Sequence, residues 1–168
     1  MKNKLNNNKQ KSFYFQNFIN DPPLTTSNSR RIRLGYVSSD FRNHPVSQLL
    51  AKVIELHDRD TFEVFGYSID TRADDMTKRL KKSFDRYTEF KFEISEAEIA
   101  SNIRDDAIDI LIDLNGYTNN SKPGIFARKP AKIQINFLGY PATMGANFMD
   151  YIIADQIAIP NEFENFYN

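Results

Sequence analysis

The sequence predicts an α/β protein: a Rossmann-like, doubly wound parallel sheet with helices on both faces. Three observations predict it. Short apolar runs alternate with stretches of helical spacing, which is the pattern of βαβ units. The runs are apolar at successive positions rather than at every second one, as in strands covered on both faces. Right-handed crossovers between parallel strands then wind the chain to both sides of the sheet.

The elements follow in order. Ile32, Leu34, Tyr36 and Val37 make a buried strand. It ends in small polar residues (Ser38, Ser39, Asp40) and enters a helix at His44-Pro45, with Pro45 in the favoured first helical position. Val46, Leu49, Leu50, Val53, Ile54 and Leu56 fall at helical spacing. Phe62, Val64, Phe65, Tyr67 and Ile69 form a second strand, and Met76 to Phe84 a charged helix. Tyr87 to Phe92 alternates weakly, as a short third strand does. Ser95 caps a helix carrying Ile99 and Ile103. Ile108 to Leu114 is the most apolar strand of the chain, and it stops at Asn115-Gly116. A short helix over 123–128 leads to a strand through Ile133, Ile135, Phe137 and Leu138, and Tyr151 to Ile153 is the last strand.

Residues 1–29 are expected as a disordered or linker tail. The first twelve are rich in Lys and Asn, and Asp21-Pro22-Pro23 through Ser29 is a Pro/Thr/Ser linker. Between them lies an aromatic cluster of Phe13, Tyr14, Phe15, Phe18 and Ile19. The folded domain is placed at 30–160. Residues 161–168, which have no clear pattern, are expected as a truncated connection to an absent second half.

Composition excludes several function classes. With 40% hydrophobic and 26% charged residues in 168, one packed core needs no metal or disulfide. The absence of cysteine removes disulfide scaffolds, cysteine nucleophiles and thiolate zinc sites. His44 and His57 are the only two histidines, so a multi-histidine metal site is excluded. Lys+Arg and Asp+Glu are both 22, which gives no bulk attraction to nucleic acid or to an anionic membrane. No apolar run approaches the ~20 residues that cross a bilayer, and the Lys/Asn-rich N-terminus lacks the apolar core of a signal peptide. A cytoplasmic protein is the expectation. There is no Gly-x-Gly-x-x-Gly and no Walker A loop among the six glycines, so a nucleotide must be held by other means.

A doubly wound sheet brings its strand C-termini to one edge, where such folds keep their sites. Three loops meet there: Ser38 to His44, Asn115 to Asn120, and Gly139 to Gly145. His44 is the candidate catalytic histidine. A neutral imidazole accepts a proton from a hydroxyl or hydrogen-bonds a sugar hydroxyl. The alternative is that His44 only caps the helix before Pro45. His57, at a helix end beside Asp58, reads as structural. Asp40 reads as a turn or cap residue, and Asp113 as an interior or edge acid. Arg42, Arg128 and Lys129 are cations that could meet phosphate.

Five blocks of the chain, in this order, carry a resemblance. They are residues 31–46 (Arg-Ile-Arg-Leu-Gly-Tyr-Val-Ser-Ser-Asp-Phe-Arg-Asn-His-Pro-Val), 62–68 (Phe-Glu-Val-Phe-Gly-Tyr-Ser), 108–118 (Ile-Asp-Ile-Leu-Ile-Asp-Leu-Asn-Gly-Tyr-Thr), 126–145 (Phe-Ala-Arg-Lys-Pro-Ala-Lys-Ile-Gln-Ile-Asn-Phe-Leu-Gly-Tyr-Pro-Ala-Thr-Met-Gly) and 149–155 (Met-Asp-Tyr-Ile-Ile-Ala-Asp). They resemble the catalytic region of the O-GlcNAc transferase/SPINDLY family, glycosyltransferase family 41. The resemblance implies the N-terminal half of a GT-B fold, in which two Rossmann-like halves face each other across a cleft. It implies transfer of a sugar from a nucleotide sugar, UDP-GlcNAc by expectation, to Ser or Thr of acceptor proteins without a required metal. By the family's motifs, His44 is expected beside the transferred sugar, and Thr118, Leu138, Gly139 and Pro141 as sugar-donor binding residues. Lys132 and Phe137 depart from the family's Pro and Trp.

The family's second half, which holds most of the nucleotide, has no counterpart in these residues. The expectation is therefore a partial transferase, inactive alone, whose partner would be a separate C-terminal half. The alternative is a non-catalytic Rossmann-like interaction module or gene-fragment remnant. A receiver-like phosphoacceptor domain is disfavoured, because Asp40 has no neighbouring acid and no lysine follows Lys132.

Overall fold

A computed structural model describes residues 11–13, as backbone, and residues 30–167. The strands are β1 (Lys11–Phe13), β2 (Ile32–Ser38), β3 (Phe62–Ser68), β4 (Arg86–Glu89), β5 (Ile110–Asp113), β6 (Ile133–Phe137) and β7 (Tyr151–Ile153). The helices are α1 (Pro45–Glu55), α2 (Asp75–Ser83), α3 (Glu96–Asp105) and α4 (Pro123–Ala127). A single sheet has the order β1-β7-β6-β5-β2-β3-β4, and every pairing is parallel.

The doubly wound layout follows from where the apolar side chains point. Leu34, Tyr36, Val64 and Ile112 face α1 and α2, whose Leu50, Ile54 and Leu80 complete that core. Phe65, Tyr67 and Leu111 face the other way, onto Ile99 and Ile103 of α3 and Phe126 of α4. Each fully buried Leu, Ile or Phe contributes about 1.5–3 kcal/mol. We call the side of α1 and α2 the first face, and the side of α3 and α4 the second.

The sequence signals for helix starts act locally as chemistry. Pro45 begins α1, the Ser95 hydroxyl accepts from the Glu98 amide to cap α3, and Asp74 with Thr77 forms a capping box on α2. Asp74 also accepts the Asn43 amide at 2.6 Å, which ties the β2–α1 loop to the start of α2.

Two differences from the sequence reading stand out. Lys11–Phe13, inside the stretch expected as a tail, pair in parallel with Tyr151–Ile153 at the sheet edge. Three residues are too few to leave a periodic signal, so pairing decided by tertiary context is invisible in the sequence. The rest of the aromatic cluster and the linker lies outside the described residues. Asn161–Phe166, which showed no pattern, forms a 3-10 helix. No described helix is long and apolar enough to cross a membrane.

Candidate functional site

The C-terminal ends of β2, β5 and β6 release the three loops side by side, and Asn115 fastens two of them. The β2–β5 register pairs Val37 with Asp113, which sets Ser39 and Asn115 next to each other one step beyond the sheet. The Asn115 side-chain oxygen, Oδ1, accepts the Ser39 amide at 2.8 Å. Its amide nitrogen donates to Ser39 Oγ at 2.9 Å and to Asp40 Oδ2 at 3.0 Å, with a long contact to Thr118 Oγ1 at 3.4 Å. Asn115 is only 2% exposed, so these bonds form in a low dielectric and orient its amide.

Asp113 holds the Asn115 turn from below. Its Oδ1 accepts the amides of Asn115 at 2.9 Å and Gly116 at 3.1 Å. Burial raises its pKa, and those two amides oppose the shift. The Thr118 hydroxyl closes the turn on the Asn115 carbonyl at 2.8 Å.

The third loop interlocks with the second through two glycines. A Cβ on Gly139 would sit 1.8 Å from the Leu114 carbonyl oxygen, so backbone meets backbone there. A Cβ on Gly116, at φ +55°, would sit 2.4 Å from Tyr140 Cβ. Tyr117 crosses back edge-on against Tyr140 and donates to the Met144 carbonyl at 3.0 Å. Between Phe137 and Gly139 the amide of Gly139 bonds the Phe137 carbonyl at 2.9 Å around Leu138, whose φ is +68°. That is a γ-turn of the rare positive-φ kind, and a bulky residue there carries strain.

The loops enclose a cavity of about 250 Å³ whose wall includes Asp40, Arg42, His44, Thr118, Asn120 and Gly139. Whole-ligand pockets run ~300–1,000 Å³, so the space suits one wall of a site or a single ring rather than a complete nucleotide sugar. Three of the residues expected from sequence, His44, Thr118 and Gly139, line it together. Leu138 instead packs against the first-face core, and the carbonyl of Pro141 accepts the Tyr167 hydroxyl at 3.0 Å.

His44 is the N-cap of α1: its Nδ1 accepts the Val46 amide at 3.3 Å. A neutral ring with its acceptor nitrogen engaged carries the proton on Nε2 and is a donor there. Asp40 Oδ2 lies 3.9 Å from Nδ1, too far for a hydrogen bond. Protonating Nδ1 would trade the cap for that ion pair. Asp40 is held by the Arg42 guanidinium at 3.1 Å and the Asn115 side-chain amide on its carboxylate, by the Ser47 hydroxyl on its carbonyl at 2.5 Å, and by its own amide donating to Ser38 Oγ at 2.9 Å. Arg42 lines the cavity, and its Nε is buried with no partner among the described residues.

Sequence reasoning missed Asn115 as the hub and gave it only a place in a turn. The signal lay in the register: two adjacent strands ending in Ser-Ser-Asp and Asp-Leu-Asn bring those polar residues together. His57, read as structural, is so placed. It lies 2.7 Å from the Tyr36 hydroxyl, remote from the cavity.

A sequence profile of glycosyl transferase family 41 matches residues 3–168. A probable UDP-N-acetylglucosamine–peptide N-acetylglucosaminyltransferase SEC of Arabidopsis thaliana is 40% identical over 142 residues, 83% of this chain and 14% of that protein. A UDP-N-acetylglucosamine–peptide N-acetylglucosaminyltransferase of Caenorhabditis elegans is 40% identical over 143 residues, 84% of this chain and 12% of that protein. Among solved structures, an O-GlcNAc transferase mutant of Thermobaculum terrenum superposes with a TM-score of 0.78 at 40% identity, covering 82% of this chain and 26% of that one. The chain thus spans about one seventh of the length of these curated relatives. Its all-parallel sheet is the Rossmann-like sheet of a GT-B enzyme. With a profile matched along nearly its whole length and relatives at this identity, the chain belongs to glycosyltransferase family 41.

Proposed function

We propose that these residues form the first half of the catalytic region of a protein O-linked glycosyltransferase, which moves GlcNAc from UDP-GlcNAc to Ser or Thr of an acceptor protein. The observation that carries the reading is that three loops far apart in sequence close on one cavity containing His44, Thr118 and Gly139. The donor class comes from the printed names of the relatives.

In the reaction the acceptor oxygen bonds to the sugar's anomeric carbon, the bond from that carbon to UDP breaks with its electron pair leaving on UDP, and the hydroxyl proton passes to the departing UDP or to solvent water. His44 serves as a donor from Nε2 to a sugar or phosphate oxygen. Its Nδ1 is engaged by α1, so it positions and stabilises rather than taking the proton. The Arg42 guanidinium, which lines the same cavity, is the cation available to a diphosphate. Leu138 and Pro141 shape the loop behind Gly139. A cavity of about 250 Å³ leaves most of a nucleotide unsupported, so these residues alone have little or no activity.

The test is complementation. The chain is mixed with the separately produced second catalytic half of a family member, UDP-GlcNAc and an acceptor peptide, and UDP release is followed. Turnover that needs both pieces is expected. No turnover with any second half, in a mixture where the two pieces bind each other, overturns the reading in favour of a module without chemistry.

A further inference from the structure

The β5–α4 loop walls a second cavity as well as the one beside His44. Thr118 to Ser121 is a β-turn, closed by the Ser121 amide on the Thr118 carbonyl at 3.2 Å. Asn120 sits in it at φ +61°, a left-handed conformation that asparagine tolerates. Thr118, Asn119 and Asn120 line the 250 Å³ cavity. Asn120, Ser121 and Lys122 line another, of about 550 Å³, between α3 and α4 on the second face. Asn120 is common to both, so the two spaces adjoin across one side chain.

The far wall of the larger cavity is the connection from β4 to α3. That connection leaves the C-terminal end of its strand, as the β5–α4 loop does, so the cavity opens on the same edge of the sheet as the His44 site. Phe92, Ile94 and Ala97 make the wall apolar. Phe92 is 70% exposed, a large ring left in water. It is nevertheless held in place. Lys122 Nζ lies 5.4 Å from the ring centroid and donates to the carbonyls of Phe92 at 2.9 Å and Ile94 at 2.8 Å.

The charged groups around this wall have partners within the chain. Glu96 accepts the Gly124 amide at 3.0 Å, and Arg128 donates to the Gly124 carbonyl at 2.7 Å. Two of the three N–H donors of Lys122 are used on the carbonyls, which leaves one. A ligand therefore meets an apolar surface, one ammonium N–H and the Asn120 amide. These suit an uncharged chain of carbonyls, amides and apolar side chains. They suit a diphosphate poorly, because the Glu96 carboxylate stands in the wall.

We propose that the larger cavity is a subsite for the acceptor polypeptide. The segment whose hydroxyl enters the His44 cavity runs extended across Asn120 and sets an apolar side chain against Phe92 and Ile94. The inference rests on the transferase reading above, and what carries it is the continuity of the two cavities through Asn120. An extended segment gains affinity from main-chain hydrogen bonds, here to Lys122 and Asn120, and specificity from the pocket that takes a side chain. At about 3.3 Å per residue, cavities that share one side chain lie about two to four residues apart along such a segment. Acceptors are thus selected for an apolar residue at that distance from the modified Ser or Thr.

The chain has no tryptophan, so Phe92→Trp places a single reporter in the cavity wall. This protein is titrated with peptides of Gly, Gln and Ala that carry one Thr and one Leu, the Leu placed about two to four residues from the Thr. A saturable blue shift is expected, about tenfold weaker for the same peptide without Leu. No shift with any peptide, a shift produced by UDP instead, or a shift that follows protein concentration alone (a second copy in the cavity) overturns the proposal. In the complemented assay, Phe92→Ser should raise the KM for acceptor peptide about tenfold relative to the KM for UDP-GlcNAc. An unchanged acceptor KM overturns the proposal. Ala97→Tyr, at an exposed position of α3, fills the cavity from another element and takes the place of Phe92→Ser if that variant does not fold. If complementation gives no turnover, the transferase reading falls, and the titration by itself decides whether the cavity takes a peptide.

Discussion

Asp113 and Asn136 stand opposite each other in the β5–β6 register, both are buried, and each keeps one side-chain oxygen without a hydrogen-bond partner. Asp113 spends its other oxygen on the Asn115 and Gly116 amides, and Asn136 donates to the Tyr140 carbonyl at 3.0 Å. A buried carboxylate beside a buried carbonyl is an arrangement that a proton or an amide would improve.

The first prediction follows from that pair. Burial raises the Asp113 pKa, so its contribution to stability is fully present below the unfolded value of 3.8 and is lost as pH rises through the folded one. Asp113→Asn keeps the oxygen that accepts the two turn amides and adds a donor beside Asn136. Urea unfolding at pH 7 should find Asp113→Asn more stable than the parent by about 1 kcal/mol, with the gap closing toward pH 4. A variant less stable than the parent at pH 7 contradicts the assignment.

His57 sets the opposite pH trend. Burial lowers its pKa, with Arg59 adding to the effect, and the neutral ring lies 2.7 Å from the Tyr36 hydroxyl. A depressed value means that stability is present above the unfolded 6.5 and is lost as pH falls through the folded value. Melting curves of the parent should therefore drop as pH falls below 6.5. His57→Gln, which retains an acceptor for Tyr36, should be flatter across that window. Each kcal/mol of difference reads as about 2–4 °C in Tm. Parallel pH curves for the two proteins would rule this out.

Two glycines of the third loop separate crowding from backbone strain. Gly139→Ala drives a Cβ into the Leu114 carbonyl, where only backbone movement relieves it. Gly145→Ala meets nothing within 4 Å and carries only its φ of +56°. Expected costs are about 3 kcal/mol or more for Gly139→Ala and about 1 kcal/mol for Gly145→Ala, read from urea midpoints. Equal costs would mean that the interlock of the two loops is not tight.

Much of the frame was legible because it rests on local chemistry. Strands apolar at successive positions, Pro45 at a helix start and Ser95 at a cap say what they are without tertiary context. The site was legible as a set of loops on one edge, because parallel topology alone aligns strand ends. What stayed hidden was relational. Gln134 and Asn136, which carry no apolar signal, are the buried side of β6. Asn115 looked like half of an Asn-Gly turn, and only the β2–β5 register turns it into the clasp on Ser39 and Asp40. The pairing of Lys11–Phe13 with β7 depends on an open edge at the other end of the chain.

The last prediction separates the two roles that the sequence left open for His44. Its Nδ1 caps α1, and the proposed donor role belongs to Nε2. His44→Ala removes both, with a capping loss of about 1 kcal/mol. His44→Asn restores the cap, since asparagine is among the best N-cap residues, but its shorter side chain cannot present a donor where Nε2 stood. Stability should therefore fall in His44→Ala and return in His44→Asn. Turnover in the complemented assay should fall by about 100-fold or more in both, the scale of a lost transition-state donor. If His44→Asn recovers turnover along with stability, the histidine is a cap and nothing else, and the donor contact must come from Arg42 or Thr118.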